Sequence, residues 1–134
     1  MSSRLLVATL STVAALRVLL VSFDALATSQ TRIALVIGNS TYQHTSKLRN
    51  PINDARLMAQ TLRELGFKVL ERTDVNQGQM KLAIAEFGEV LKKAGNSAVG
   101  IFYYAGHGVQ SKGINYLIPV DAKLKQESHL DIFS

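Results

Sequence analysis

Ala98-Val-Gly-Ile-Phe-Tyr-Tyr104, running straight into Ala105-Gly-His-Gly108, is the stretch whose reading decides the fold. A short run of apolar, β-branched and aromatic residues is too brief for a helix and suits a strand covered on both faces. It is therefore expected to be the central strand of a sheet, with a histidine between glycines at its carboxyl end.

Further toward the N-terminus, Ile33-Ala-Leu-Val-Ile37 has the same character and closes on Gly38-Asn39. Phe67, Val69 and Leu70 form a shorter strand that ends near Thr73-Asp74. Two helical patterns separate these strands. Asn50-Pro51 opens the first, because Asn can accept from free N–H groups and Pro at the first helical position loses no bond. Ile52, Ala55, Met58, Ala59, Leu62 and Leu65 share one face, and Gly66 supplies a left-handed cap. Asn76 caps the second helix, with an apolar stripe of Met80, Ala83, Ile84, Phe87, Val90, Leu91 and Ala94 before Gly95. Gly88 inside it costs about 1 kcal/mol relative to Ala.

Beyond His107, Val109-Gln110, a Ser111-Lys112-Gly113 turn and Ile114 to Ile118 read as a hairpin closed by Pro119. Ser40 to Arg49 is polar and aperiodic, a loop longer than usual for a strand-to-helix connection, and long loops in compact domains are often functional. Strands alternating with helices imply a mostly parallel sheet with right-handed crossovers, hence an α/β sandwich.

The 134 residues amount to one domain and contain no cysteine. Disulfides, thiolate zinc sites and thiol nucleophiles are thereby excluded on this chain. Residues 1–27 read as a secretory leader: Arg4 precedes an apolar run from Leu5 to Leu16, and Ala25-Leu26-Ala27 offers the small-x-small cleavage pattern. The rival is an uncleaved membrane anchor, but Arg17 at the centre of a span would cost about 2.5 to 3.5 kcal/mol. Cleavage is favoured, with a secreted or periplasmic location and no membrane contact except through an uncleaved leader. The net charge of +5 is spread, and its densest run is Lys92-Lys93. A nucleic-acid footprint would need clustered cations or interleaved aromatics, so no nucleic-acid partner is expected.

In open α/β sheets ligands bind beyond the carboxyl ends of the strands. Three segments fall there: Gly38 to Arg49, Thr73-Asp74, and Gly106-His107-Gly108. The last stands out, because flanking glycines leave room for a substrate chain and an imidazole suits general acid–base work. The alternative is that His107 only packs in a turn. His44 and His129 lie in polar segments and read as solvated, and three histidines without ligand spacing do not make a metal site. Neither a dinucleotide fingerprint nor a Walker pattern is present, so no cofactor is implied. Tyr103, Tyr104 and Tyr116 read as core or sheet-face residues.

Taken together, Arg32-Ile-Ala-Leu-Val-Ile-Gly-Asn39 with Tyr42, Leu48-Arg-Asn-Pro-Ile-Asn-Asp-Ala55, Leu65-Gly-Phe67 and Tyr103-Tyr-Ala-Gly-His-Gly108 resemble the caspase-like cysteine peptidases, specifically their bacterial metacaspase-type branch. The resemblance covers about residues 32–122. It implies a three-layer sandwich and a His/Cys dyad that hydrolyses peptide bonds, with a peptide or protein as substrate. His107 matches the catalytic histidine, and Gly108 the residue whose N–H lines the oxyanion hole. Asp54 resembles the acid that metacaspases use to receive a P1 Arg or Lys, and Arg49 the arginine that caspases use for P1 Asp. The two imply opposite specificities, and the Asn53-Asp54-Ala55 pattern favours Asp54. An acid in the first turn of a helix is also favoured by the dipole alone.

In caspases the cysteine follows the histidine by about 50 residues, a position past Ser134. The expectation is thus the N-terminal part of a caspase-like peptidase over residues 28–134, truncated after the third strand and the following hairpin. It would keep the histidine, lack the nucleophile, be inactive by itself, and be completed by a C-terminal segment. A non-catalytic pseudo-peptidase that binds peptides or proteins is the alternative.

Overall fold

The computed structural model describes residues 30–123. The leader expected over residues 1–27, and His129, lie outside them. Strands β1 (Arg32–Gly38), β2 (Lys68–Thr73) and β3 (Val99–Ala105), and helices α1 (Pro51–Glu64) and α2 (Gln77–Ala94), follow the expected alternation. Strands β4 (Gly108–Ser111) and β5 (Ile114–Leu117) complete the described chain.

The main sheet is wholly parallel, in the order β2-β1-β3. Strand β1 is therefore central, and every residue from Ile33 to Gly38 is buried. That corrects the expectation for Ala98 to Tyr104. Strand β3 pairs with β1 on one side only among the described residues, and Phe102 keeps 44% of its surface exposed. Both runs are equally apolar, so composition could not rank them; the crossovers decide which strand receives two neighbours.

The helices cover opposite faces. Ala34 and Val36 point to the α1 side, where they pack with Ala55, Ala59 and Leu62. Leu35 and Ile37 point to the other side and meet Met80 and Ala83 of α2. The period-two alternation of β1 thus feeds two apolar layers, and an α/β/α sandwich follows. Gly38 lets α1 come this close, since a Cβ there would lie 2.7 Å from Ala55 Cβ and 2.7 Å from the Pro51 carbonyl.

The caps are mixed. Gly66, at φ +82°, closes α1 with paired bonds from Phe67 N–H to the Leu62 carbonyl and from Gly66 N–H to Arg63, a Schellman arrangement. Asn76 and Gln79 form a reciprocal capping box at the start of α2. Asn50, expected to cap α1 in the same way, makes no side-chain cap bond. Its backbone is already helical, at φ −104° and ψ −23°, whereas a capping side chain needs an extended one. Strands β4 and β5 form a separate antiparallel pair turned by Lys112 and Gly113, both at positive φ, as a two-residue hairpin of the right twist requires.

Candidate functional site

The carboxyl ends of the parallel strands are knotted together by Asn39, which is fully buried. Its N–H donates to the Ala105 carbonyl at the end of β3, its Oδ1 accepts from Val75 N–H at 3.0 Å, and its Nδ2 donates to the Ile118 carbonyl at 3.3 Å. One amide side chain thereby joins β1 to the start of α2 and to the chain leaving the hairpin. Next to it, Asp74 sits at φ 50° and its Oδ1 accepts from the N–H groups of Ser40 and Thr41, both at 2.8 Å. Burial alone would raise the Asp74 carboxyl, but these backbone donors outweigh it and hold its pKa below the ordinary value.

The 39–50 loop, which carries no helix or strand, is anchored through Tyr42. Tyr42 packs with Tyr116, Ile118, Val120 and Ala122 in a third apolar cluster, and Gln43 N–H donates to the Val120 carbonyl. The loop is thus pinned against the hairpin and folds back over the end of β3.

There it meets His107. The imidazole lies 4.5 Å from the Tyr42 ring, tilted by 60°, and its Nε2 is 2.9 Å from the Ser46 carbonyl. A carbonyl only accepts, so Nε2 carries a hydrogen. In the neutral ring the lone pair is then on Nδ1, which can take a proton from a reacting group. His107 and Gly108 line an open cavity of about 170 Å3, together with Val109, Ile118 and Ala122 and with His44 and Thr45 from the loop.

His107 and Gly108, adjacent in the chain, both line this cavity. Arg49 and Asp54 are exposed and do not line this cavity. Asp54 lies in the first turn of α1, whose Pro51 and Ala55 press on Gly38, so it shares the carboxyl end of the sheet with His107. His44 is exposed as expected, yet it faces the same cavity. Nothing in its polar surroundings announced that; only the path of the loop does. Tyr104, read as a core residue, turns its hydroxyl to the Ile118 carbonyl at 2.7 Å, and burial first, then the Tyr42 hydroxyl, push its pKa well above the ordinary value. Among the described residues no group of three or more histidines and acids could hold a metal ion, and no helix is long and apolar enough to cross a membrane.

The caspase domain, as a family, matches residues 31–133. Two curated relatives are the human mucosa-associated lymphoid tissue lymphoma translocation protein 1 and its mouse homolog, each 38% identical over 91 residues, or 68% of this chain. The chain spans 11% of the length of these relatives. With a parallel sheet in the order β2-β1-β3 between two helices, all of it inside the matched residues 31–133, this chain belongs to the caspase-domain family.

Proposed function

We propose that the chain supplies the histidine half of a cysteine endopeptidase active site and takes a peptide or protein as substrate. The observation that carries this reading is His107: a half-buried imidazole tied through Nε2 to the Ser46 carbonyl, at the carboxyl end of a parallel strand and on the wall of an open cavity. His107 Nδ1 would take the proton of the cysteine thiol, the resulting thiolate would attack the scissile carbonyl, and the protonated imidazole would pass that proton to the departing amine as the C–N bond breaks. Gly108 would offer its N–H to the oxyanion that develops.

The cysteine this reaction requires is not among the 134 residues. It must come from a further segment, so the chain by itself is proposed to be inert. For specificity we favour a P1 Arg or Lys received by Asp54, the metacaspase-type arrangement, over a P1 Asp received by Arg49. Secretion through cleavage after Ala27 belongs to the same proposal.

The assay extends the chain by the reading frame that follows codon 134 and measures cleavage of peptides ending in Arg, Lys or Asp. The expected result is no turnover by the 134-residue chain, turnover after Arg and Lys by the extended one, and at least about a hundredfold loss on His107→Ala. Cleavage by the 134-residue chain itself, lost on His107→Ala, would overturn the reading. An extended chain without cysteine that still binds peptide would favour the pseudo-peptidase instead.

A further inference from the structure

Two phenols grip the backbone of residue 107. The His107 N–H donates to Tyr42 Oη at 2.7 Å, and Tyr42 Oη lies 3.1 Å from Tyr104 Oη. Tyr104 Oη in turn reaches the Ile118 carbonyl at 2.7 Å and the His107 carbonyl at 3.0 Å. A hydroxyl has one proton and a carbonyl only accepts. With its proton on the nearer Ile118 carbonyl, Tyr104 accepts from Tyr42, whose oxygen accepts from His107 N–H, while the His107 carbonyl also accepts from Ile118 N–H at 3.0 Å. The links come from three separate parts of the chain: the loop after β1, the end of β3, and the segment that leaves β5.

Gly106 makes this possible. A Cβ at that position would lie 2.5 Å from Tyr104 Oη and 2.6 Å from Tyr42 Oη, so only glycine leaves room for both phenols at the turn. The same choice has a cost. A histidine between two glycines sits on the most permissive backbone available, and nothing local fixes where its ring points. Acid–base chemistry needs the ring held to within about 0.5 Å and 10–20°.

Resting on the peptidase reading above, we propose that Tyr42 and Tyr104 are positioning residues for His107: their linked hydroxyls clamp the 107 peptide between Gly106 and Gly108, which holds Nε2 on the Ser46 carbonyl and leaves Nδ1 for substrate chemistry. Tyr42 acts twice, through its hydroxyl on the backbone and through its ring against the imidazole. The hydroxyls touch no reacting atom; they act through the histidine.

The test uses the full chain with 15N-labelled histidine, which leaves three residues to assign by NMR. The wild type is expected to show a His107 amide protected from exchange and a His107 ring N–H proton slow to exchange with water, while exposed His44 shows none. Tyr42→Phe keeps the ring contact and removes the hydroxyl. It should speed exchange of the His107 amide by about tenfold or more and abolish the ring N–H signal. Tyr104→Phe should act in the same direction and decides the matter should Tyr42→Phe not fold. Tyr116→Phe, a buried phenol outside the linked pair, should leave both signals unchanged.

A folded Tyr42→Phe or Tyr104→Phe that retains the ring signal and the amide protection overturns the proposal, as does a wild type in which the His107 amide is unprotected. Cleavage is not read in this experiment. Failure of the peptidase reading would appear in the substrate assay alone, so the two are distinguishable.

Discussion

At the scale of residues, the polar groups beneath the cleft are accounted for with few exceptions. Asn39, Asp74, Tyr42 and Tyr104 satisfy backbone groups that the strand ends would otherwise leave open. Ser40 Oγ is the buried side-chain atom without a partner among the described residues. Asp74 gives this layer a pH dependence. Its folded-state pKa lies below the ordinary 3.8, so in acid the unfolded chain binds the proton first. The stabilisation is fully present above that value and is lost as pH falls through the lower, folded-state pKa. Urea midpoints measured at pH 6 and stepwise to below the ordinary value should therefore decline. Asp74→Asn, which keeps an accepting oxygen but does not titrate there, should flatten this decline; an unchanged pH slope would refute the assignment.

At the scale of elements, helix ends show how far local reading reaches. The Asn76 cap was legible because residue type and its place before the apolar stripe suffice for it; the reciprocal bond from Gln79 came only with the structure. Asn50 has the right residue type before Pro51, but its backbone is already helical, which takes the side chain out of capping reach. A paired experiment follows. Asn76→Ala should cost about 1 kcal/mol in chemical denaturation, whereas Asn50→Ala should stay within about 0.5 kcal/mol of wild type. Equal losses at both positions would show that the cap geometry has been misread.

The strands teach the same lesson. Lengths, directions and the two-sided burial of β1 follow from alternation and apolar runs, since a parallel crossover covers both faces. The rank of β3 does not. Ile101 and Tyr103 are half buried on the α1 side and Phe102 is 44% exposed, a pattern set by which neighbours a strand obtains.

At the scale of the molecule, β3 has an edge that is unpaired among the described residues, with exposed Phe102 beside it. Apolar, unprotected edges pair with one another or with a complementing segment. The 134-residue chain expressed by itself should thus self-associate as its concentration rises, and Phe102→Lys should reduce this in light scattering. A wild-type chain that stays monomeric at high concentration would count against this edge as the sticky surface.

What the sequence determined by itself was the alternation of strands and helices, the parallel α/β class, the hairpin, and the histidine between glycines at a strand's end. Each depends on spacing over a few residues, where hydrophobic periodicity and cap chemistry act directly. Only the tertiary structure decided that β1 is central, that Asn50 does not cap, that His44 shares a cavity with His107, and that Tyr42 and Tyr104 meet at residue 107. These juxtapose groups some 60 positions apart in the chain, as Tyr42 and Tyr104 are. Contacts at that separation arise from how crossovers and loops close, and no local pattern encodes them.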